Sequence, residues 1–139
     1  MKREILFRGK RVDNGEWIEG FFAKSGDKTF ILIDNDIAVG YVVMKEVIAE
    51  TVGQFTGLTD KNGTKIFEGD IIKEKDCVHN GEIQIVGDVW QVCFKDGVFF
   101  AHNKMEAKFV YWLKNFEVIG NIYDNPELMD KEEKEDAEN

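Results

Sequence analysis

The sequence is poor in cysteine and proline and contains no long apolar run. It has two cysteines and one proline in 139 residues, and two cysteines are too few for the disulfide framework of a small secreted domain. No segment approaches the roughly 18 to 20 consecutive apolar residues that cross a bilayer. The first residues, MKREILFRG, lack the apolar core and the cleavage site of a signal peptide. We therefore expect a cytoplasmic protein that is not inserted in a membrane.

Basic residues are also in the minority. The chain carries 18 basic and 27 acidic residues, a net charge of −9. Residues 127–139 hold seven acidic residues and two lysines, a net charge of −5, which leaves −4 for the other 126 residues. Such a chain repels a phosphate backbone unless its basic residues cluster on one face. Nucleic-acid binding is therefore disfavoured, and the acidic tail raises the alternative of a mimic of DNA charge that inhibits another protein.

The weak candidates for nucleic-acid contact lie near the N-terminus. Positive charge would come from the basic residues Arg3, Arg8, Lys10 and Arg11, and Trp17 would offer a ring for base stacking. The other large aromatic residues are expected in the core or at a subunit interface, because a β-sheet protein needs them there. These residues are Phe21, Phe22, Phe30, Phe99, Phe100 and Trp112.

Turn signals recur at short intervals, a pattern typical of antiparallel β proteins. The chain is 43% hydrophobic and 12% aromatic, which favours half-buried strands. Turns at residues 13–15, 25–27 and 34–36 separate predicted strands at residues 5–12, 16–22, 29–33 and 37–44. We predict a mostly β fold in which antiparallel hairpins form a small barrel or sandwich.

The clearest prediction is a β-hairpin at residues 54–72. Its turn, Asp60-Lys61-Asn62-Gly63, matches a type I turn with Asp first, and Asn62 and Gly63 tolerate the positive φ that closes such loops. Glu68-Gly69-Asp70 resembles a tight turn in which an acidic side chain accepts hydrogen bonds from backbone amides. We therefore interpret Asp60, Asn62, Gly63, Gly69 and Asp70 as structural turn residues.

Further strands are predicted on both sides of this hairpin. They cover residues 47–55, 70–74, 82–86, 89–94, 98–101 and 116–123, with a polar loop at residues 75–81. The segment 102–115 fits a short helix and a buried strand equally well. Asn125-Pro126-Glu127 is a helix-start signal. We expect one all-β domain at residues 1–126, or two β subdomains, followed by an acidic helical tail at residues 127–139.

No pattern predicts a catalytic, metal or cofactor site. The potential zinc ligands Cys77, His79, Cys93 and His102 form no CxxC or HxxxH pair. Cys77 has no defined base partner, so it is not a predicted nucleophile. The glycines near residues 53–69 precede strands rather than a helix that could bind phosphate. We expect no enzymatic activity and no cofactor.

Three segments resemble the YopX family, small proteins of bacteriophages and prophages. They are FRGKRVDNGEWIEG at residues 7–20, ETVGQFTGLTDKNGTKIFEGDII at residues 50–72, and EVIGNIYDNPELM at residues 117–129. The middle segment is the most diagnostic, and all three occur in the family's order. Ala49 stands where relatives usually have a proline, which affects only the rigidity of one loop.

The resemblance implies a mostly β fold with intertwined β elements and a tendency to self-associate. It carries over no activity, cofactor or catalytic residue. We expect a non-catalytic accessory protein of the bacterial cytoplasm that forms homo-oligomers and contacts a host or phage protein, with a nucleic-acid-binding β-barrel as the alternative. The Gly and Asp positions of the central motif correspond to Gly57, Asp60, Gly63, Gly69 and Asp70.

Overall fold

The structure is a computed structural model in which the chain forms two compact units. It describes residues 4–36, 41–74, 77–79, 82–84, 89–105, 107–109 and 116–129, with the backbone alone at 34–36, 41–42, 77–79 and 82–84. The first unit covers Met1–Gly57 and the second covers Leu58–Asn139. Both are built from antiparallel strands, so the prediction of a mostly β fold is confirmed.

The first unit is a meander that begins with the predicted hairpins. Its strands are β1 (Phe7–Lys10), β2 (Trp17–Ser25), β3 (Lys28–Asp36), β4 (Tyr41–Val47) and β5 (Gly53–Thr59). Their order in the sheet is β4-β3-β2-β1-β5. The sheet curls strongly, because an isolated bridge joins Arg11, just after β1, to Val47 at the end of β4.

One face of this curled sheet forms the core of the first unit. Ile31 on β3 is fully buried and Val47 on β4 is almost fully buried. Phe22 lies opposite Ile31 across the β2–β3 ladder, so these side chains share the inner face, although Phe22 itself is 41% exposed. Side chains at alternating positions, such as Phe21, therefore point to the outer face.

The second unit contains a five-stranded sheet and two short pairs. Its strands are β6 (Lys65–Phe67), β7 (Asp70–Glu74), β8 (Cys77–His79), β9 (Glu82–Gln84), β10 (Val89–Lys95), β11 (Val98–His102), β12 (Ala107–Phe109) and β13 (Phe116–Asn121). The large sheet has the order β12-β11-β10-β7-β13, and β8 pairs with β9. β6 is the neighbour of β5, whose last two residues belong to this unit.

A compact hydrophobic cluster lies on one face of the five-stranded sheet. Trp90 and Val92 on β10 alternate with residues of the opposite face, so both side chains enter the cluster. Partly buried Leu58, Phe99 and Val118 pack against it. The buried members of the cluster are Ile66, Ile72, Trp90, Val92, Ala101 and Phe116.

Several boundaries differ from the predictions. The predicted turn at 34–36 lies inside β3, because an irregularity in the β3–β4 register between Ile33 and Asp36 absorbs the extra residues. The predicted loop at 75–81 contains β8, in which Val78 pairs with Ile83, and these β-branched residues favour strands. The predicted strand at 47–55 is interrupted by a 3₁₀ helix at Ala49–Thr51.

The two ambiguous segments near the C-terminus are described in part. Within 102–115 the structure shows a strand, β12, and residues 110–115 lie outside the described residues. Residues 127–129 are helical, as the Asn125-Pro126-Glu127 signal predicts. The side-chain oxygen of Asn125 accepts a hydrogen bond from the backbone amide of Asn121, at 3.2 Å. The tail beyond residue 129 lies outside the described residues.

Candidate functional site

The turn at residues 60–63, between β5 and β6, is organised by the carboxylate of Asp60. Its Oδ1 accepts hydrogen bonds from the amides of Asn62 and Thr64, at 2.8 and 2.9 Å. Its Oδ2 accepts a bond from the amide of Val118 on β13, at 2.9 Å. The side chain is 6% exposed, so one buried carboxylate connects the turn to a strand 58 residues away.

The electrostatics of Asp60 fit a structural role. Burial by itself raises the pKa of Asp60, but the bonds from the Val118, Thr64 and Asn62 amides favour the ionised form and hold the pKa below its ordinary value. A carboxylate that stays ionised and accepts hydrogen bonds from three backbone amides is a poor general acid at neutral pH.

Gly69 and Asp70 form the second turn of the motif. Asp70 is 1% exposed and its Oδ2 accepts a bond from the amide of Phe67, at 2.8 Å. Gly69 has φ of +94°. Its amide donates to the carbonyl of Val92 and its carbonyl accepts from Ile122. These contacts place both residues in the framework of the second unit.

The predicted nucleic-acid candidates come together in part. The Arg8 guanidinium lies 4.7 Å from the centre of the Trp17 ring, and the Lys10 ammonium lies 6.0 Å from it. Lys10 and Trp17 are direct neighbours in the β1–β2 ladder, which explains the cluster. The ring is thus engaged by two cations of its own chain. Arg3 lies outside the described residues.

Arg11 is directed away from this cluster. Its Nε donates to Asp13 Oδ1 at 2.9 Å and its terminal nitrogen donates to Oδ2 at 2.6 Å. This two-point bond raises the pKa of Arg11 and lowers the pKa of Asp13. Only Arg8, Lys10 and Trp17, among the five candidates, therefore form one local group in the described part of the chain.

Cys93 and His102 are the two zinc-ligand candidates that the structure brings together. They lie on the adjacent strands β10 and β11, and the His102 Nε2 is 3.0 Å from the Cys93 Sγ. Burial raises the pKa of the Cys93 thiol, and the charge of Glu68 adds to that rise. The protonated thiol is a weak nucleophile.

A metal centre would need more ligands than this pair. Within the described ranges, the structure contains no group of three or more His, Cys, Asp or Glu side chains that could hold a metal ion. The side chains of Cys77 and His79 lie outside the described residues. Among the described side chains, Cys93 and His102 form a hydrogen-bonded pair, and two ligands are fewer than the four of a structural zinc site.

One groove of about 350 Å³ lies beside β11 and β12 in the second unit. Its lining residues are Lys95, Asp96, Val98, Phe100, Ala107, Lys108 and Phe109. The volume is within the range of small-molecule sites. The Lys108 ammonium lies 5.2 Å from the Trp90 ring, and the charged lining residues Lys95, Asp96 and Lys108 are of both signs.

The surface feature that sequence reasoning did not locate is the outer face of the first unit's sheet. Phe21 on β2 is 55% exposed and Met44 on β4 is 51% exposed. Leu32 on β3 lies opposite both of them in the two ladders. Phe21 was expected in a core or an interface, and the pairing of its neighbour Phe22 with the buried Ile31 shows that Phe21 points away from the core.

Comparison with known proteins identifies the chain's relatives. The family model described as "YopX protein" matches residues 6–130. No curated protein matches the chain. The crystal structure of protein EF1440 from Enterococcus faecalis is similar, with 24% identity over 92% of this chain and 99% of that chain and a TM-score of 0.56. This second likeness concerns the fold.

In the part of the chain that the structure describes, no helix is both long and apolar enough to cross a bilayer.

Proposed function

Because the chain belongs to the YopX family, we propose that it is a non-catalytic phage or prophage accessory protein that works through protein–protein contacts as a homo-oligomer. Its expected place is the cytoplasm of the bacterial host, where it contacts its own copies and a host or phage protein. The buried carboxylates support the non-catalytic part of this proposal, because Asp60 and Asp70 accept hydrogen bonds from backbone amides and so stabilise the fold.

The observation that carries the proposal is the amount of exposed apolar side chain. Among the described residues, ten large hydrophobic side chains are exposed by 39% or more, and they occur in both units. Exposed apolar residues that adjoin one another are typical of surfaces that bind other proteins. In the first unit Phe21, Leu32 and Met44 adjoin directly.

Sedimentation velocity and light scattering over a concentration series test the oligomer. We expect a mass that rises with concentration to a multiple of the 16.0 kDa chain. A compact monomer up to millimolar concentration would end this part of the proposal. Affinity purification from induced host cells, scored for protein and for nucleic acid, tests the second type of partner.

The rival function is nucleic-acid binding at the Arg8, Lys10 and Trp17 cluster. The observation that favours it is the meeting of these three side chains on one face. Mobility-shift measurements with labelled single- and double-stranded DNA at low salt test it, because binding to phosphates is strongest there. The absence of a shift at low salt would remove this rival.

A further inference from the structure

The outer face of the first unit's sheet carries aromatic and basic side chains side by side. Directly opposed residues of an antiparallel ladder place their side chains on the same face, so the pairings of β1, β2 and β3 define its members. It lies opposite the core face, on which Ile31 is fully buried. We name this surface the aromatic–basic face and define it by Arg8, Lys10, Trp17, Glu19, Phe21 and Phe30.

The three aromatic rings are spread along this face. Trp17 and Phe21 are four residues apart on β2, about 13 Å at 3.3 Å per residue. Phe30 on β3 is the diagonal neighbour of Phe21, because Phe21 opposes Leu32, and such neighbours lie about 7 to 8 Å apart. The Phe21 side chain is 55% exposed. Rings that are spaced in this way can stack on different bases of an unpaired strand.

The charge of this face differs in sign from that of the whole chain. Residues 1–57 hold eight basic and nine acidic residues, a net charge of −1, which leaves −8 for residues 58–139. On β1 to β4, the described side chains of the outer face comprise three basic and two acidic residues, a net charge of +1. These residues are Arg8, Lys10, Lys28, Glu19 and Glu46. A chain of net charge −9 therefore has a locally positive surface here, which favours contact with phosphate.

The excess positive charge lies beside Trp17. Lys28 is 4.0 Å from Glu46, so these two charges balance each other. Of the remaining charges, Glu19 opposes only Arg8 in the β1–β2 ladder. Arg8 and Lys10 lie 4.7 and 6.0 Å from the centre of the Trp17 ring. Cations next to aromatic rings are the combination with which proteins bind single strands of nucleic acid.

We infer that the aromatic–basic face binds an unpaired strand of nucleic acid, with bases stacked on the rings and phosphates beside Arg8 and Lys10. This inference goes beyond the proposed oligomer and narrows the rival function to one face and one substrate class. The oligomer does not depend on it, because exposed apolar residues occur in both units.

Two physical reasons favour an unpaired strand over a duplex. The sheet curls around its core, since a bridge joins Arg11 to Val47, and its outer face is therefore convex. A duplex is stiff over about 150 base pairs, whereas an unpaired strand can follow a convex surface and turn its bases towards the rings. A duplex also carries about twice the negative charge per unit length, so a chain of net charge −9 repels it more strongly.

Fluorescence anisotropy with labelled oligonucleotides tests the substrate class. The probes are oligothymidylate and oligouridylate of about 16 nucleotides and a DNA duplex of the same length, at about 0.05 M salt. We expect a single-stranded probe to bind at least about tenfold more tightly than the duplex. The better of the two single-stranded probes identifies the sugar. Equal binding of the duplex, or no binding of either single-stranded probe, would overturn the inference.

The salt dependence measures the number of phosphate contacts. Each phosphate that a single strand loses to a cation contributes about −0.7 to the slope of log K against log salt concentration. Contacts by Arg8 and Lys10 therefore predict a slope of about −1.4. A slope near zero would show that phosphates are not bound and would contradict the inference.

The matched variants Lys10→Glu and Lys24→Glu locate the site. Both change the net charge equally, but Lys24 opposes Thr29 across the β2–β3 ladder and lies on the other face of the sheet. The hydrogen bond from Lys10 to Thr51 is donated by the backbone amide, so Lys10→Glu should fold. We expect Lys10→Glu to weaken oligothymidylate binding at least about tenfold and Lys24→Glu to weaken it less than about threefold.

The matched variants Phe21→Ala and Phe109→Ala test stacking. The two rings are exposed by 55% and 47%, and Phe109 lies in the second unit. We expect Phe21→Ala to weaken binding at least about fivefold and Phe109→Ala to leave it unchanged, with thermal unfolding as the check that both variants fold. If either control variant weakens binding as much as its counterpart, the aromatic–basic face is excluded. A wild-type chain that self-associates but binds no oligonucleotide would overturn this inference alone and leave the proposed oligomer intact.

Discussion

At the residue scale, Asp60 shows how a motif that identifies a family can serve the fold. The sequence motif places an Asp at the first position of a turn. The structure adds a hydrogen bond from the Val118 amide to this side chain, which no local sequence pattern predicts. Buried carboxylates are stable only when such bonds compensate the loss of water. The residue is thus explained by backbone geometry, with no need for a catalytic role.

Replacing this carboxylate gives a direct test. In Asp60→Asn the single carbonyl oxygen can serve Asn62 and Thr64, but the new NH₂ group then faces the amide of Val118, donor against donor. An unsatisfied buried amide costs about 1 to 3 kcal/mol, and we expect a loss of about 2 kcal/mol in urea denaturation. Asp96→Asn is the control, since Asp96 has φ of 53° and Asn tolerates that region. Equal stability of both variants would refute the role of the carboxylate.

The pH dependence of stability tests the same residue. The pKa of Asp60 is lower in the folded protein than the unfolded value of about 3.9. Its stabilising contribution is therefore fully present above the unfolded pKa and is lost as pH falls through the folded pKa. We expect the stability difference between wild type and Asp60→Asn to shrink below about pH 4. A difference that stays constant down to the folded pKa would contradict this assignment.

Gly69 combines a backbone and a packing requirement. Its φ is +94°, and a Cβ there would lie 3.1 Å from the Cε2 of Tyr123. Gly97 has φ of +79° with no atom within 4 Å of such a Cβ. Gly97→Ala should cost about 1 kcal/mol from backbone strain, and Gly69→Ala should cost more because Tyr123 must also move. Thermal unfolding of both variants measures the difference in stability. Equal losses would show that the Tyr123 side chain moves aside at no energetic cost.

At the element scale, the predictable parts of the fold are those set by local turn chemistry. The turns at residues 60–63 and 25–27 follow from their Asp, Asn and Gly residues, and both occur in the structure. The hairpin predicted at residues 54–72 is shorter than predicted: it consists of β5 and β6 and ends at Phe67, whereas residues 70–72 belong to β7, which pairs with β10 and β13. The turn predicted at 34–36 is wrong because the β3–β4 irregularity is a property of two paired strands. The outer face was not predictable for the same reason. Strand alternation places Phe21 and Phe22 on opposite faces, but the sequence does not show which of the two faces the core; the pairing of Phe22 with the buried Ile31 decides this.

The 3₁₀ helix at Ala49–Thr51 contains a buried threonine, Thr51, whose replacement should change stability differently from the replacement of Thr29. The Thr51 hydroxyl accepts a bond from the Lys10 amide at 2.9 Å and donates to the Ile48 carbonyl at 2.6 Å. Thr29 is equally buried, at 3% exposure, but its hydroxyl has no hydrogen-bond partner in the described part of the chain. Thr51→Val should therefore lose about 1 to 2 kcal/mol, and Thr29→Val should be neutral or stabilising. Chemical denaturation of both variants measures the free energy of unfolding. A similar loss of stability in both would show that the hydrogen bonds of Thr51 do not stabilise the fold.

At the scale of the whole molecule, net charge distinguishes self-association from DNA binding, because salt should change the two affinities in opposite directions. Each chain carries −9, so two copies repel each other, and salt screens this repulsion over about 10 Å at 0.1 M ionic strength. Self-association should therefore strengthen between about 0.05 and 0.5 M NaCl, whereas binding to DNA should weaken over the same range.

A truncated chain supplies the control for this last prediction. A chain ending at Met129 lacks six acidic residues and two lysines, so its net charge is −5 instead of −9. Its self-association should depend less on salt than that of the full chain, as sedimentation equilibrium at several salt concentrations would show. An identical salt slope in the two chains would mean that the net charge does not govern the association.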